Sequence, residues 1–303
     1  MKPRFSPAAE LKKTIKKRIT IICFIAVLLL ALAAAELLYS NLAVAVSRYT
    51  MESSKTAAPF RIVFISDLHS REFGKNNGRL LEKIAAEEPD IIALVGDIFD
   101  ENADEETIEK TCDFIGEAAK IAPVYFCMGN HEYDLMAKRD RSLKERIAEA
   151  GAVVLDASYV DIEINGTPVR LGGYEGYYRT PHMTSSNADR QAADMLFFED
   201  FENTERFKLL LNHISTNWLD WDYRDRCPVD LVLSGHYHGG VVRIPLLNRG
   251  LFAPYVGWFP PYTKGIFVGE KATCILSTGM AGAKGYPRFF NPPEIVVVDV
   301  CPA

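Results

Sequence analysis

The 303-residue sequence contains no Cys-x-x-Cys pair, no Gly-x-Ser-x-Gly turn and no Gly-Lys-Ser/Thr loop. Each absence removes a class of chemistry. Six cysteines without paired spacing do not make a zinc ribbon. With Cys23 inside an apolar N-terminal run, the other five (Cys112, Cys127, Cys227, Cys274 and Cys301) are an odd number for a disulfide framework. They read instead as small apolar residues destined for the interior. Without the serine elbow, a Ser/His/Asp hydrolase has little support. Without a Walker-type loop, neither has P-loop nucleotide binding. There is also no internal repeat and no low-complexity tract.

The bulk of the chain also lacks basic surplus. The formal net charge is −6, but residues 1–18 carry Lys2, Arg4, Lys12, Lys13, Lys16, Lys17 and Arg18 against Glu10, a local +6 that leaves −12 for the remainder. A body that acidic does not suit nucleic acid, whose binders replace counterions with basic side chains. Carboxylates gathered at one place would instead call for multivalent cations.

What is present begins with a long apolar run. Ile19 to Ala35 is interrupted only by Thr20, and Leu37, Leu38 and Tyr39 extend it past Glu36. That length matches the roughly 17–25 residues needed to cross a bilayer. The basic block before it favours an N-terminus kept in the cytoplasm and a chain that continues outside. A cleaved signal peptide is the competing reading, with Ala33–Ala35 as a candidate cleavage site, although the run exceeds a usual signal core of about 7–15 residues. The expected organisation is a basic cytoplasmic segment over 1–18, a transmembrane anchor over 19–39, a tether over 40–58 and a folded domain over 59–303. The tether follows from the small and polar composition of Asn41 to Pro59.

From Phe60 the pattern alternates strand and helix, an α/β arrangement. Strands are expected at Arg61–Ser66, Asp90–Val95, Pro123–Met128, Phe207–Leu211 and Val229–Leu233, with late strands at Thr273–Ser277 and Glu294–Val300. Helices are expected over 78–88 and 142–150, and the acidic run Asp100 to Glu109 suits a loop and a helix N-terminus. Ala152–Leu155, Tyr159–Ile164 and Val169–Gly173 read as antiparallel strands, with Asn165-Gly166 as a hairpin turn. The irregular stretch from Tyr174 to Asp200 reads as a loop over a site, in which His182 is a solvated residue rather than a ligand.

Five of these strands end in residues with lone pairs: Asp67 and His69, Asp97, Asn130 and His131, His213, and His236 and His238. Any one has a dull explanation, as a helix cap, a turn residue or a core histidine. Together they put five of the six histidines just past apolar strands, where open α/β sheets carry their sites. Imidazole, carboxylate and an amide oxygen, without cysteine, suit Mn, Fe or Zn. The set is larger than one tetrahedral ion needs, so two divalent or trivalent ions are expected.

Asp67-Leu-His69, Gly96-Asp97, Gly129-Asn130-His131-Glu132, His213 and Gly235-His236-Tyr237-His238 resemble the five blocks of the calcineurin-like metallophosphoesterases. The resemblance runs from about Phe60 to Val300. Pro287-Arg-Phe-Phe-Asn-Pro-Pro-Glu294 is similar to a bacterial membrane-associated branch that includes pyrophosphohydrolases of UDP-diacylglucosamine. The resemblance implies a four-layer sandwich, two mixed β-sheets flanked by helices, here preceded by one transmembrane helix. It implies one metal on Asp67, His69 and His238, a second on Asn130, His213 and His236, and Asp97 bridging the two. His131 would be the acid beside the leaving group. Tyr237 and Val241 depart from the branch, which often has Thr and Gln there. The implied activity is hydrolysis of a phosphomonoester, phosphodiester or pyrophosphate by a metal-activated hydroxide, with a lipid-linked substrate as one candidate. The alternatives are a catalytically inert anchored binding protein of the same fold and a nuclease, which the acidic body disfavours. The aromatic run Phe252 to Tyr262 is expected either to touch a bilayer or amphiphile, or to pack against the sandwich.

Overall fold

In the computed structural model the described residues are 7–176, 196–220, 223–247, 249–253, 256–283 and 286–303. Most of Tyr174 to Asp200, including His182, lies outside them. The chain opens with helix α1 (Pro7–Leu42). Its stretch Glu10–Leu42 is long and apolar enough to cross a membrane, and its apolar residues are not buried against the rest of the protein. The first sheet is built from β1 (Ala45–Ser53), β2 (Phe60–Ile65), β3 (Ile91–Val95), β4 (Val124–Cys127) and β5 (Ala152–Leu155). Between them run α2 (Gly78–Ala86), α3 (Glu105–Ala119), α4 (Asn130–Lys138) and α5 (Leu143–Glu149). The second sheet draws on β6 (Ser158–Ile164), β7 (Thr167–Tyr174), β8 (Phe207–Ile214) and β9 (Leu231–Gly235). Short ribbons β10 (Arg243–Ile244), β11 (Arg249–Gly250), β12 (Phe252–Ala253) and β13 (Gly257–Trp258) follow, then β14 (Gly265–Val268), β15 (Thr273–Leu276) and β16 (Glu294–Pro302).

The strand orders are β1-β16-β2-β3-β4-β5 and β14-β15-β9-β8-β7-β6, six strands in each sheet. Both are mixed. β2 to β5 run parallel, as do β7, β8, β9 and β15, while β16 pairs antiparallel with β2. The alternation of side chains along a strand makes the layers. On β2, Val63 and Ile65 pack with Leu80, Ile84, Phe114 and Ile147 of the helices on the outer face. Phe60, Ile62 and Phe64 turn the other way, onto Leu209, Leu211, Leu231 and Leu233 of the second sheet. Leu210, Val232 and Leu276 close the far face against Trp218 and Phe201. Because both sheets are covered on both faces, their central strands read as continuous apolar runs rather than alternating ones.

Two expectations are corrected. Residues 45–53, inside the expected tether, are an edge strand in continuous parallel register with β16, from Ala45↔Glu294 to Ser53↔Pro302. Val46, Tyr49 and Met51 are partly buried against the two cores, and only Ala43 and Val44 separate β1 from α1. An edge strand needs apolar residues at alternate positions only, so its polar half resembles a linker. Ala152–Leu155, expected to pair antiparallel with the strand after it, instead runs parallel to β4 in the first sheet. The chain changes sheets at Asp156–Ala157, whose Ala157 has φ 45°. The hairpin expected at Asn165-Gly166 forms, with both residues left-handed (φ 50° and 78°).

Candidate metal centre

Parallel strands place their C-terminal ends on one edge, and that edge gathers the predicted residues. Asp67 and His69 leave β2, Asp97 leaves β3, and Asn130 and His131 open α4 after β4. His213 sits within β8, where the register with β9 shifts between Leu211 and Ile214. His236 and His238 follow β9. The turns are tight: Asp67, His69, Asp97, His236 and His238 all have φ between 46° and 76°. Left-handed backbone at such residues costs about 1–3 kcal/mol each, and it persists where surrounding contacts over-determine it. Here they do. The amide of Asp67 donates to Gly96 O and that of His69 to Asp97 O (3.0 and 2.9 Å). His131 N donates to Asp97 Oδ1 at 2.8 Å, and His236 N to Asp67 Oδ1 at 3.0 Å. Glycine is required where ligands crowd the backbone: a Cβ on Gly96 would lie 2.4 Å from the His213 ring, and one on Gly235 2.4 Å from Asp67 Oδ2.

Three sets of ligand atoms lie within 4.8 Å of one another: Asp67, His69 and His238; His69, Asp97 and His131; and Asp97, His213 and His236. His69 and Asp97 are shared, so the sets form one continuous double pocket. Asp97 Oδ2 is its centre, 3.1 Å from His213 Nε2, 3.9 Å from His131 Nε2 and 4.0 Å from His69 Nε2. His238 Nε2 is 3.7 Å from Asp67 Oδ1.

Hydrogen bonds on the far ring nitrogens separate the histidines into two kinds. Nδ1 of His213 faces Val95 O at 2.9 Å, and Nδ1 of His238 faces Ala281 O at 3.1 Å. A carbonyl accepts only from N–H, so Nδ1 carries a proton in both rings and Nε2 is the nitrogen left for a cation in the pocket, the arrangement in which outer partners orient ligating histidines. His131 is the reverse. Its Nδ1 accepts the Glu101 amide N–H at 3.3 Å, which puts the proton on Nε2 and makes the pocket-facing nitrogen a donor.

The charges agree with a cation site. Burial drives His69 and His236 down to about 3, and lowers His238 as well, so these rings are neutral near pH 7. For His213, burial also disfavours the charged ring, but the Asp97 carboxylate outweighs it and lifts the pKa to about 10. A cation between Asp97 and His213 would take the place of that proton. His69 Nε2 and Asn130 Oδ1 are buried without a hydrogen-bond partner, a costly state for polar atoms unless an ion completes them. The donor set therefore fits hard-to-borderline cations.

Seven of the eight residues singled out in the sequence fall in these sets, and Asn130 opens α4 next to His131. The motif reading gave no role to three others. Glu132, fully buried, accepts the amides of Asp97, Ile98, Phe99 and Gly129 at 2.7–2.9 Å. Burial and the Asp97 charge push its pKa up to about 7. Its position three residues after Gly129 at the start of α4 is a capping signal visible in the sequence. Arg288, also fully buried, and Asn291 brace the opposite side through backbone carbonyls, for which no sequence signal exists. Tyr237, one of the departures from the branch, points away from the pocket into the outer core, where its hydroxyl donates to Asp220 Oδ2 at 3.0 Å.

The aromatic run after the histidine loop divides. Ala253 is buried and Tyr262 packs on the outer core, whereas Trp258 is 69% and Phe259 54% exposed. Leu246 and Leu247 beside them are also exposed. Backbone bonds link Phe259 to Phe289: Phe259 N to Leu251 O, Leu251 N to Val242 O, and Val242 bridged to Phe289, next to Phe290, whose amide meets Glu36 of α1.

A model of the calcineurin-like phosphoesterase family matches residues 60–240, more than half of the chain. An uncharacterized metallophosphoesterase of Bacillus subtilis, YkoQ, is 29% identical over 61% of this chain and 63% of its own. The chain thus spans less than two thirds of that relative. The Escherichia coli phosphodiesterase YaeI is 29% identical over 65% of this chain and 67% of its own. The Chlamydia muridarum UDP-2,3-diacylglucosamine pyrophosphatase LpxG is 24% identical over 78% of this chain and 82% of its own.

Proposed function

Because the chain belongs to the calcineurin-like phosphoesterase family, we propose that it is a dinuclear metal-dependent hydrolase of phosphoesters. The observation that carries this reading is the double pocket centred on Asp97, with His213 and His238 oriented through Nδ1 so that Nε2 faces the pocket, and an unpartnered amide oxygen on Asn130. Asp67, His69 and His238 would hold one ion. Asn130, His213 and His236 would hold the other, and Asp97 would contact both. When bound, such a pair of ions supplies a water of lowered pKa and charge to hold phosphoryl oxygens. The metals expected are Mn, Fe or Zn.

His131 takes no ligand role in this reading. Its Nε2–H faces the pocket, and Glu101 N–H fixes that tautomer from behind. In this reading it would donate to the leaving oxygen as the ester bond breaks. Glu132 holds the amides of 97–99 and so keeps Asp97 and the end of β3 in position.

The substrate we infer is a lipid-linked phosphodiester or pyrophosphate, met at a membrane surface. Three features support this: the apolar α1, the exposed Leu246, Leu247, Trp258 and Phe259, and the chlamydial relative's pyrophosphatase name. Aromatic residues favour the headgroup region. The basic N-terminal block orients α1 with its start in the cytoplasm, making this a single-pass protein whose catalytic domain is extracytoplasmic. Nucleic acid is not the expected partner of so acidic a domain.

The test is the full chain in detergent micelles, loaded with Mn²⁺, against a lipid pyrophosphate, a soluble phosphodiester and a phosphomonoester. Metal-dependent turnover, abolished by chelation and greatest on the lipid, is expected. Two bound ions with no turnover on any substrate would favour the inert binding protein. Ser at both Trp258 and Phe259 should depress only the lipid reaction; equal loss on all substrates would remove the membrane argument.

A further inference from the structure

The last turns of α1 do not simply lead to the domain; they grip it. Glu36 Oε1 accepts the amide of Phe290 at 3.0 Å and the hydroxyl of Ser40 at 2.6 Å. Ser40 Oγ, itself fully buried, accepts the amide of Asn291 at 3.1 Å. The Asn41 side chain pairs with the backbone of Arg288 in both directions, donating to its carbonyl at 2.8 Å and accepting from its amide at 3.1 Å. Positions 36 and 40 share a face of the helix and Asn41 stands beside it at the helix end, so three polar side chains at the end of an apolar helix meet one segment, 288–291.

That segment in turn holds one side of the metal centre. The Arg288 guanidinium is completely buried and spends its donors on three backbone carbonyls: Thr278 O at 2.8 Å, Ala281 O at 2.5 Å and Asn291 O at 2.6 Å. Ala281 O also faces His238 Nδ1, and Ala281 N donates to Asp67 O at 2.8 Å. Asn291 Nδ2 donates to His238 O at 2.8 Å and Val241 O at 3.0 Å. Two ligands of the same pocket, Asp67 and His238, are thus fastened to the 278–281 loop, which Arg288 pins. Among the described residues the other pocket is held mainly from elsewhere: His213 is oriented by Val95 and Asp97 by Glu132, and His236 reaches the loop only at one remove, through its amide bond to Asp67.

We propose that the end of α1 is a positioning element of the Asp67–His69–His238 pocket, acting through Arg288 and Asn291, so that cation affinity there depends on α1 being docked. This rests on the dinuclear reading above, and deepens it: the helix that carries the enzyme also completes one of its two ion sites. An orienting group one shell out typically changes metal affinity by about 10–100-fold. The contacts of Ser40 and Asn41 lie one step further out and should act near the lower figure.

The experiment is stepwise Mn²⁺ binding to the full chain in micelles, by calorimetry and by the electron spin resonance of the bound ions. His69→Ala and Asn130→Ala first assign which step belongs to which pocket. Wild-type protein that binds fewer than two ions would overturn the dinuclear reading itself, before any joint variant is made. Given two steps, Ser40→Ala/Asn41→Ala should weaken the His69-dependent step about tenfold and leave the Asn130-dependent step within about twofold. Ser40→Thr, which keeps the accepting hydroxyl, should behave as wild type. Arg288→Met should give the larger loss, at the same step, if it folds; the Ser40/Asn41 pair decides the matter if it does not. Equal weakening of both steps, or no change in either, overturns the proposal.

Discussion

The two pockets share Asp97 and a similar donor set, yet they are braced in unlike ways. Around Asp97 and His213 the brace is an anion: Glu132 collects four backbone N–H groups. Around Asp67 and His238 it is a cation: Arg288 fills three backbone carbonyls. The first brace sits two residues from a ligand, inside the same motif. The second stands fifty residues beyond His238 and reaches it by way of a loop. Both are buried charges satisfied by backbone rather than by a direct ion pair, which avoids leaving orphaned peptide groups in turns bent into left-handed conformations. The local brace can form as soon as β3 and α4 meet, whereas the distant one requires the end of the chain and the end of α1.

Substitutions can break this contrast. The largest effect is expected where the pockets merge. Asp97→Asn removes the charge facing both, so kcat/KM should fall at least about 10⁴-fold and metal content should drop below two ions per chain. His131→Ala should lower kcat by roughly 10²–10⁴-fold with both ions retained. Loss of metal from it to the same extent as from Asp97→Asn would make His131 a ligand and undo the tautomer argument.

Smaller changes sharpen the contrast between the braces. Glu132→Gln presents an NH₂ group to two amide donors that cannot accept it. About 3 kcal/mol of stability should be lost, a fall in Tm of roughly 6–12 °C for a domain this size. Thermal unfolding of the metal-free protein measures it directly, and an unchanged Tm would show that the turns hold without the anion. The smallest effect is a pH dependence on the Arg288 side. Glu294 is buried, which alone would raise its pKa, but Lys264 holds it below the ordinary carboxylate range with help from Ser47 Oγ and Thr278 N–H. A carboxylate lowered by folding contributes stability above its unfolded pKa and loses it as pH falls through the folded value. Wild-type Tm should therefore decline more steeply below about pH 4.5 than that of Glu294→Gln, which starts lower at pH 7. Parallel declines would mean that Glu294 is not the group responsible.

The proposed ligands are legible because they stand at the ends of strands of continuous apolar residues, and parallel strands bring such ends together without further information. Asp97 and His213 could thus be placed from their strands alone. Glu132 was visible as a residue but not as a brace, since its partners are backbone amides that carry no sequence identity. Arg288 and Asn291 were harder still, because carbonyls 7–10 residues and 50–53 residues away in the chain are their partners. β1 escaped for a related reason. Its register is set by β16, and its contact Ser47–Glu294 spans 247 residues, so nothing local distinguishes Ala45–Ser53 from a linker. Glu36 was read as an interruption of an apolar run; in the structure it is a contact.

The place of β16 between β1 and β2 has a consequence for how the protein is made. Ribosomes deliver α1 and β1 long before β16, yet β16 is the strand that joins β1 to the rest of its sheet. Until residues 294–302 emerge, β2 has a bare edge and β1 has no partner in its sheet. A nascent chain halted before Glu294 would thus display α1 attached to an open-edged, protease-sensitive half-sheet.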